Sequence, residues 1–582
     1  MHEFKVWAPK PKKVAVRVKD VAYPMSGPDA DGHWTATVED ARPGDEYGFL
    51  LDDDSMLYPD PRSMAQPRGV HGPSAIYDRT VFHWNDHQWQ GSPLAGAVIY
   101  ELHIGTFTQA GTFDSAIDRL PYLHDLGVTH LEVMPVAEWA GDRGWGYDGV
   151  NMFAATQHYG GADAFKRFVD ACHTHGLGVI LDVVYNHFGP VGNYTARFGP
   201  YTTDRHQTPW GVAINFEREG SDQVRRFFLD NAVMWLRDFH CDGLRLDAIH
   251  EMWDRSAVHF LEDLSAEVAN LSATVGRRLF LIAESDLNDP RIVRSMEANG
   301  YGMDAQWSDD FHHSLATIVF TDPGHKGYYD DFGAFESLAK AARDVFVFDG
   351  QFSKYRSRSH GRPVDGLSAH HFINFLQNHD QIGNRALGDR IHETIGLEKT
   401  KVAVGLILTA PMIPMLYMGE EYAASTPFLY FADHEDKDIA RQVTEGRKRE
   451  FADFGFDGTE IPNPEDPETF RRSKLDWTQP EQGLHAEMLA WVRSLIHLRR
   501  RSKCLNDGNR HHMKVTFSEE QRWFRMDRNL TSIFANLGYG TSEFEVPPGH
   551  RLLLWSSPCV TFDGGKLTLP ANTLAITSSE TE

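Results

Sequence analysis

The most regular feature of the chain is an alternation of short apolar runs with longer amphipathic runs, from residue 93 to about residue 500. The apolar runs are five to eight residues long, as buried strands are, and between them apolar side chains recur at helical spacing. We expect strands at residues 98–103, 130–136, 178–185, 243–247, 280–284, 303–307, 372–378 and 414–418. Eight buried strands separated by helical runs predict an α/β fold, a parallel (β/α)₈ TIM barrel with its loops gathered at one face.

Short alternating runs on both sides of this barrel predict two smaller β-domains. Val14, Val16 and Val18 alternate with other residues, and Pro-Gly-Asp at 43–45 marks a turn, which predicts an N-terminal β-sandwich over residues 1–92. Strand-like runs at 523–526, 533–537, 552–555 and 567–569 predict a C-terminal β-domain over residues 501–582. The barrel domain then comprises residues 93–500.

Three further segments of the barrel domain differ in the structure that their sequence predicts. The segment 187–220 follows strand three and is rich in Gly, Pro, Tyr and Thr. Loops of this length are usually functional, so we predict a lid over the barrel face. Residues 484–498 carry an apolar stripe at helical spacing, which predicts the eighth barrel helix. The polar and charged stretch 432–480 has no predicted regular element.

Charge and cysteine usage exclude several classes of function. Lys and Arg total 57 against 82 Asp and Glu, a net charge of −25 that disfavours nucleic acid and anionic lipid as partners. The N-terminus lacks the apolar segment of a signal peptide, and no run approaches the roughly 20 apolar residues of a membrane span, so we expect a cytoplasmic protein. The four cysteines have neither metal-ligand nor CxxC spacing, and we predict no metal and no cofactor.

Polar clusters stand at the ends of four predicted strands. They are Asp182, Asn186 and His187 after strand three, Arg245, Asp247 and His250 after strand four, Glu284 after strand five, and Asn378, His379 and Asp380 after strand seven. A helix cap or a core histidine could explain any one cluster. Because the carboxyl ends of all barrel strands meet at one face, the four clusters together predict one functional cleft.

Several carboxyl groups without a metal-ligand pattern suit glycoside hydrolysis with retention of configuration. That reaction requires a carboxylate nucleophile and a carboxylic acid that protonates the leaving oxygen. Asp247 suits the nucleophile because the neighbouring Arg245 keeps a carboxylate ionised. Glu284 suits the acid because it ends an apolar strand, and apolar surroundings raise a carboxyl pKa. Asp380 would be a third carboxylate that holds substrate hydroxyls.

In order and spacing, the four clusters resemble the four motif regions of the α-amylase superfamily of retaining α-glucan enzymes. The resemblance covers residues 93–500 and implies Asp247 as nucleophile, Glu284 as acid and base, and Asp380 as transition-state stabiliser. It also implies that the substrate is contacted by Tyr147, Asp182, His187, Arg245 and His379. Asn186 stands where many α-amylases bind calcium, but no second acidic cluster follows in the lid, so no metal site is expected.

Finer motifs resemble one branch of that superfamily, the maltooligosyltrehalose trehalohydrolases. The motifs are IAESDLNDP at 282–290, QWSDDFHH at 306–313 and QNHDQIGNRALGD at 377–389, whereas YELHIGTF at 100–107 and GWGYDG at 144–149 are shared with branching enzymes. The branch resemblance implies cleavage of the α-1,4 bond next to the terminal trehalose of maltooligosyltrehalose, downstream of maltooligosyltrehalose synthase. The N-terminal sandwich resembles a carbohydrate-binding module. It could bind glucan or support the barrel, and we favour support.

The loops after strands six and seven are the predicted grip on the leaving trehalose. The expected contacts are Asp309, Gln381, Asn384 and Arg385, although the same residues could instead cap helices and brace the barrel rim. A glycogen branching enzyme, or another glucan hydrolase or transglycosylase of the superfamily, is the alternative function. An inactive barrel that only binds glucan is a third, disfavoured because it would have no use for three cleft carboxylates.

Overall fold

A closed barrel of eight parallel strands lies at the centre of the computed structural model, which describes residues 1–320, 328–452 and 460–580. Barrel strands one to eight are Ile99–Leu102, His130–Val133, Gly178–Val183, Gly243–Leu246, Phe280–Ala283, Ala305–Trp307, Phe372–Phe375 and Ile413–Tyr417. Each coincides with a predicted strand to within a few residues at either end. The predicted TIM barrel is therefore confirmed.

Period-two alternation places polar groups at the top of the barrel interior. Side chains in a strand point in turn to the interior and to the surrounding helices. The interior holds its own apolar cluster, which includes Ile99, Ile180, Ile282, Phe375 and Met415. Two residues after Ile99 stands Glu101, and two residues after Ile282 stands Glu284. These carboxyl groups therefore follow the apolar layer on the inward-facing side, where the strands end and the loops begin.

The amphipathic runs form the helices around the barrel. The longer α-helices are Gly161–Thr174, Ser221–Val233, Phe260–Val275, Asp309–Val319, Phe335–Asp344, Leu397–Thr409, Lys437–Ala452 and Gly483–Arg501. The shorter ones are Ile104–Phe107, Phe113–Ile117, Leu120–Leu126, Thr195–Phe198, His379–Gly383, Ile391–Ile395 and Pro467–Arg472. A π-helical turn, Met234–Asp238, follows Ser221–Val233. The helix Gly483–Arg501 contains the apolar stripe predicted for the eighth barrel helix.

The helical pattern differs from the prediction in two places. Between barrel strands five and six the chain forms only a 3₁₀ turn, Met296–Ala298, which is followed by Asn299 and Gly302 in a positive-φ conformation that cannot continue a helix. In the stretch without predicted structure, Lys437–Ala452 and Pro467–Arg472 are helical. The second of these begins at the N-cap Asp466 followed by Pro467, a start signal that apolar periodicity alone does not detect.

Small antiparallel sheets flank the barrel in sequence. The N-terminal strands are His2–Trp7, Val14–Val18, Val21–Pro24, His33–Val38, Glu46–Leu51 and Ser74–Ala75, in a two-stranded and a four-stranded sheet. The C-terminal strands are Met513–Ser518, Trp523–Arg528, Thr531–Asn536, Ser542–Glu545, Arg551–Trp555, Thr561–Asp563, Lys566–Leu569 and Thr573–Ser578, in a five-stranded and a three-stranded sheet. The domain boundaries at residues 92 and 500 remain predictions.

The lid segment, residues 187–220, contacts the N-terminal strands. It contains the helix Thr195–Phe198 and a hairpin of Thr202–Thr208 with Gly211–Ile214. Arg197 donates from Nη2 to Asp54 Oδ2 at 2.7 Å, and the rings of Trp7 and Tyr201 lie 5.0 Å apart. These contacts tie the lid segment to the N-terminal sheets. Among the helices of the described residues, none combines the length and apolar character needed to cross a bilayer.

Candidate active site

The buried guanidinium of Arg245 connects the polar groups at the top of the barrel. Its Nη1 donates to Asp182 Oδ2 at 2.7 Å and to Asp247 Oδ1 at 2.9 Å, and its Nη2 lies 3.8 Å from Glu284 Oε2. The guanidinium carbon also lies 4.2 Å from the ring centroid of Trp307. One buried cation therefore contacts three carboxyl groups from neighbouring strands, and it stabilises their charged forms.

Asp247, the predicted nucleophile, is held at both carboxylate oxygens. Besides the Arg245 contact at Oδ1, Asn186 donates from Nδ2 to Oδ2 at 2.8 Å and to the main-chain oxygen of Asp247 at 2.9 Å. Because Nδ2 of Asn186 faces Asp247, its Oδ1 is the acceptor for Nδ1 of His187. These bonds fix the orientation of the Asp247 carboxylate.

Glu284, the predicted acid, is joined to the nucleophile strand through the backbone. Ala248, the residue after Asp247, has a φ of 38°, a conformation rare outside glycine, and its N–H donates to Glu284 Oε2 at 2.6 Å. Burial raises the pKa of Glu284 to about 7, against the lowering effect of Arg245. This direction agrees with the expectation from its apolar strand, and a carboxylic acid with this pKa can donate a proton near neutral pH.

Asp380 and its neighbours form the opposite side of the cluster. Tyr147 donates from its hydroxyl to Asp182 Oδ2 at 2.7 Å, and the same hydroxyl lies 2.9 Å from His379 Nε2. His379 Nε2 lies 3.6 Å from Asp380 Oδ2. The side chain of Asp380 is 46% exposed, against 14% for that of Asp247, so it is the more open carboxylate. An open carboxylate beside the cleft can accept hydrogen bonds from substrate hydroxyls.

The lid segment brings an aromatic ring to the cluster. Trp210, at the turn of the lid hairpin, stacks on His187 with ring centroids 5.3 Å apart and an interplanar angle of 25°. Burial lowers the pKa of His187, which favours the neutral imidazole. Trp210 is 50% exposed, so it presents a flat apolar surface beside the cluster.

The four predicted trehalose contacts lie in different surroundings. Burial, followed by the charges of Glu284, Asp310 and Asp380, raises the pKa of Asp309 well above its usual range. Asn384 donates from Nδ2 to Asp380 Oδ1 at 3.1 Å. Arg385 instead pairs with Asp389 at 2.6 Å.

Gln381 differs from these residues in its hydrogen bonding. Its backbone N–H is capped by the side chain of Asn378 at 3.1 Å, whereas its Oε1 is buried without a hydrogen-bond partner among the described residues. Of the four, Asn384 contacts Asp380 and Arg385 is paired with Asp389, and contact of these residues with trehalose remains a prediction.

Sequence reasoning missed three residues of this site. Asn186 was placed in the cluster after strand three and considered as a calcium ligand, but its contact with Asp247 was not predicted. Trp307 underlies Arg245, and Glu101 accepts hydrogen bonds from His379. A charged residue within the otherwise apolar first strand was the available signal for Glu101. Within the described residues, no group of three or more His, Cys, Asp and Glu side chains is arranged to hold a metal ion.

Known proteins resemble the chain over most of its length. The family model of the α-amylase catalytic domain matches residues 73–208. A malto-oligosyltrehalose trehalohydrolase from Rhizobium sp. (strain M-11) is 45% identical over 580 residues, covering 98% of this chain and 97% of that protein. A 1,4-alpha-glucan branching enzyme from Pseudoalteromonas atlantica is 30% identical over 392 residues, covering 59% of this chain and 53% of that enzyme.

The same relationship is visible in three dimensions. The 1.4 Å crystal structure of a protein from Salmonella typhimurium matches with a TM-score of 0.90 at 38% identity, covering 99% of this chain and 97% of that one. The similarity to the trehalohydrolase spans nearly the whole length of both chains, whereas that to the branching enzyme spans little more than half. The chain therefore belongs to the malto-oligosyltrehalose trehalohydrolase family of the α-amylase superfamily.

Proposed function

We propose that this protein is a retaining glycoside hydrolase that cleaves the α-1,4 bond next to the terminal trehalose of maltooligosyltrehalose. The observation that carries the proposal is the pairing of Asp247, held at both oxygens, with Glu284, whose pKa is raised by burial to about 7. One group is arranged to attack and the other to donate a proton. Membership of the trehalohydrolase family supports trehalose as the leaving group.

The proposed reaction proceeds in two steps. Asp247 attacks the anomeric carbon while Glu284 gives its proton to the glycosidic oxygen, so that the C–O bond breaks and trehalose leaves. Water then attacks the covalent glucosyl intermediate as Glu284 takes its proton back, which frees Asp247 and a maltooligosaccharide. Two inversions at one carbon retain the α configuration. Arg245 and Asp380 would stabilise the charge that develops on the sugar and on Asp247.

The substrate class also implies a preceding reaction. Trehalose has no reducing end, so a prior enzyme must convert the reducing terminus of a maltooligosaccharide into a 1,1-linked unit. We infer that a maltooligosyltrehalose synthase supplies the substrate, in the cytoplasm. A branching enzyme would use the same carboxylates but transfer the glucosyl chain to another sugar. The shorter and weaker similarity to the branching enzyme favours hydrolysis.

Product analysis tests this function directly. Maltotriosyltrehalose is expected to yield trehalose and maltotriose in equal amounts, with the α-anomer of maltotriose formed first, and a chelator is expected to leave the rate unchanged. Proton NMR during the first minutes distinguishes the anomers before mutarotation. A β-anomer at the start, or activity lost in chelator and restored by one cation, would contradict the retaining, metal-independent mechanism.

The raised pKa of Glu284 predicts the alkaline side of the pH profile. Glu284 must carry its proton in the first step, so kcat/KM is expected to fall about tenfold per pH unit as the pH rises above about 7. An α-maltosyl fluoride is the control, because fluoride leaves without protonation and this fall should disappear in its glycosylation step. A natural-substrate kcat/KM that stays constant to pH 9 would refute Glu284 as the acid.

A further inference from the structure

Glu101, at the end of barrel strand one, accepts hydrogen bonds from one residue at both of its carboxylate oxygens. Its Oε1 accepts a hydrogen bond from His379 Nδ1 at 2.5 Å, and its Oε2 accepts one from the backbone N–H of His379 at 3.0 Å. The side chains of Glu101 and His379 are each 2% exposed. Since 278 residues separate the two in sequence, this contact exists only in the closed barrel.

The hydrogen bonds of Glu101 fix which way the His379 ring faces. With Nδ1 donating to Glu101, Nε2 is directed to the hydroxyl of Tyr147 at 2.9 Å and to Asp380 Oδ2 at 3.6 Å. The Tyr147 and His379 rings stack with centroids 5.2 Å apart. A buried ring held at both nitrogens has one orientation, and it presents Nε2 to the cleft groups.

Glu132, the neighbour of Glu101 in the barrel, offers a contrast. The two residues are Cα partners on barrel strands one and two, so both point into the interior. Glu132 is 1% exposed, and neither of its carboxyl oxygens has a hydrogen-bond partner among the described residues. Burial, followed by the proximity of Glu101, raises the pKa of Glu132 well above its usual range, whereas both carboxylate oxygens of Glu101 are occupied by His379.

We propose that Glu101 is a positioning residue that holds the His379 ring against Tyr147 and Asp380, and that Glu132 has no part in this. The inference rests on the proposed function, since it assigns Glu101 to the support of the same cleft. Glu101 does not contact the reacting atoms. It acts through His379, which in turn orients the groups that receive the sugar at the cleavage point.

The charges around His379 favour its protonated form. The titratable and charged groups that face it are Glu101, Asp380, Arg245, Tyr147, Glu132 and His103. Burial lowers the pKa of His379, but Asp380 and Glu101 outweigh burial and raise this pKa to about 9. Removing the charge of Glu101 therefore lowers the pKa of His379, and the ring becomes neutral at a lower pH.

The test compares Glu101→Gln with the matched control Glu132→Gln. Both swaps keep shape and remove a buried carboxyl, but only the first removes a charge and an acceptor of the His379 N–H. Histidine-labelled protein gives the His379 pKa by NMR, with its signal assigned by its loss in His379→Gln. Glu101→Gln is expected to lower this pKa and to lower kcat roughly 10- to 100-fold, the range produced by losing one hydrogen bond to a charged group. Glu132→Gln should leave the pKa of His379 unchanged and kcat within about twofold of wild type.

Each outcome decides for or against Glu101. An unchanged His379 pKa in Glu101→Gln, or an equal shift in Glu132→Gln, would overturn the proposal. If Glu101→Gln does not fold, Glu101→Asp replaces it, and this variant should keep the raised pKa while losing kcat through the shortened reach. The pKa is read without substrate, so it remains a valid test even if the chain proves to release no trehalose.

Discussion

Replacing Asp247 with Asn, or Glu284 with Gln, is expected to lower kcat by at least about 10³-fold without unfolding the protein. Each change keeps the size of a side chain and removes the chemical group. Asn cannot form the covalent glucosyl intermediate, and Gln cannot give a proton to the glycosidic oxygen. Steady-state rates on maltotriosyltrehalose, with circular dichroism and thermal melting as checks of the fold, measure the effect.

The two variants should differ in their reaction with a substrate whose leaving group needs no proton. With an α-maltosyl fluoride, whose leaving group needs no proton, Glu284→Gln should still form the glucosyl intermediate, whereas Asp247→Asn should not. This contrast separates the acid from the nucleophile within one experiment. A folded variant that keeps more than a tenth of wild-type kcat would remove that residue from its proposed role. Rescue of Asp247→Asn by the fluoride would argue against Asp247 as the nucleophile.

Maltotriosyltrehalose is expected to be cleaved with a kcat/KM roughly 10² to 10⁴ times that of maltopentaose, although both contain five glucose units. Trehalose joins two anomeric carbons, so it bends away from the path of an α-1,4 chain. A site that hydrogen-bonds the hydroxyls of this bent unit leaves polar groups unpaired when a linear chain binds, and the unpaired groups weaken the transition state. Initial rates on the two substrates at low concentration measure the ratio directly.

Substitutions at the barrel rim would show which residues discriminate between maltotriosyltrehalose and maltopentaose. The charges of Glu284 and Asp380 act on Asp309, whereas Arg385 is paired with Asp389. Asp309→Ala is therefore expected to bring the ratio of the two kcat/KM values, maltotriosyltrehalose over maltopentaose, towards one. The kcat/KM for maltopentaose should change less than that for maltotriosyltrehalose. Comparable wild-type rates on the two substrates, or α-1,6-branched products from amylose, would reject the trehalohydrolase assignment and favour the branching enzyme.

Local sequence patterns predicted the barrel and most of its chemical groups. A buried strand is a short apolar run, and a barrel helix repeats its apolar positions every three or four residues, so both can be recognised without knowing their neighbours. The same locality explains why Asp247, Glu284 and Asp380 could be predicted to lie at the barrel mouth, because each follows such a run by one or a few residues. The raised pKa of Glu284 also follows from its own apolar strand.

Local patterns did not predict a helix that has few apolar positions, or the contacts of a loop that has none. Lys437–Ala452 is strongly polar and has few apolar residues, and the link between barrel strands five and six, predicted to be helical, forms only a 3₁₀ turn. The contacts between Arg197 and Asp54, 143 residues apart, likewise have no signature in either segment.

The sequence by itself therefore determined which groups lie at the barrel mouth. Only the tertiary structure decided which of these groups contact one another. Asn186 holds Asp247 across 61 residues, and Glu101 holds His379 across 278. Whether a carboxyl group in the interior finds a hydrogen-bond partner also depends on the closed barrel, as Glu101, bound to His379, and its neighbour Glu132, without a partner among the described residues, illustrate. Partners of this kind meet only when the barrel closes, because hydrogen bonds act over about 3 Å in space and are indifferent to distance along the chain.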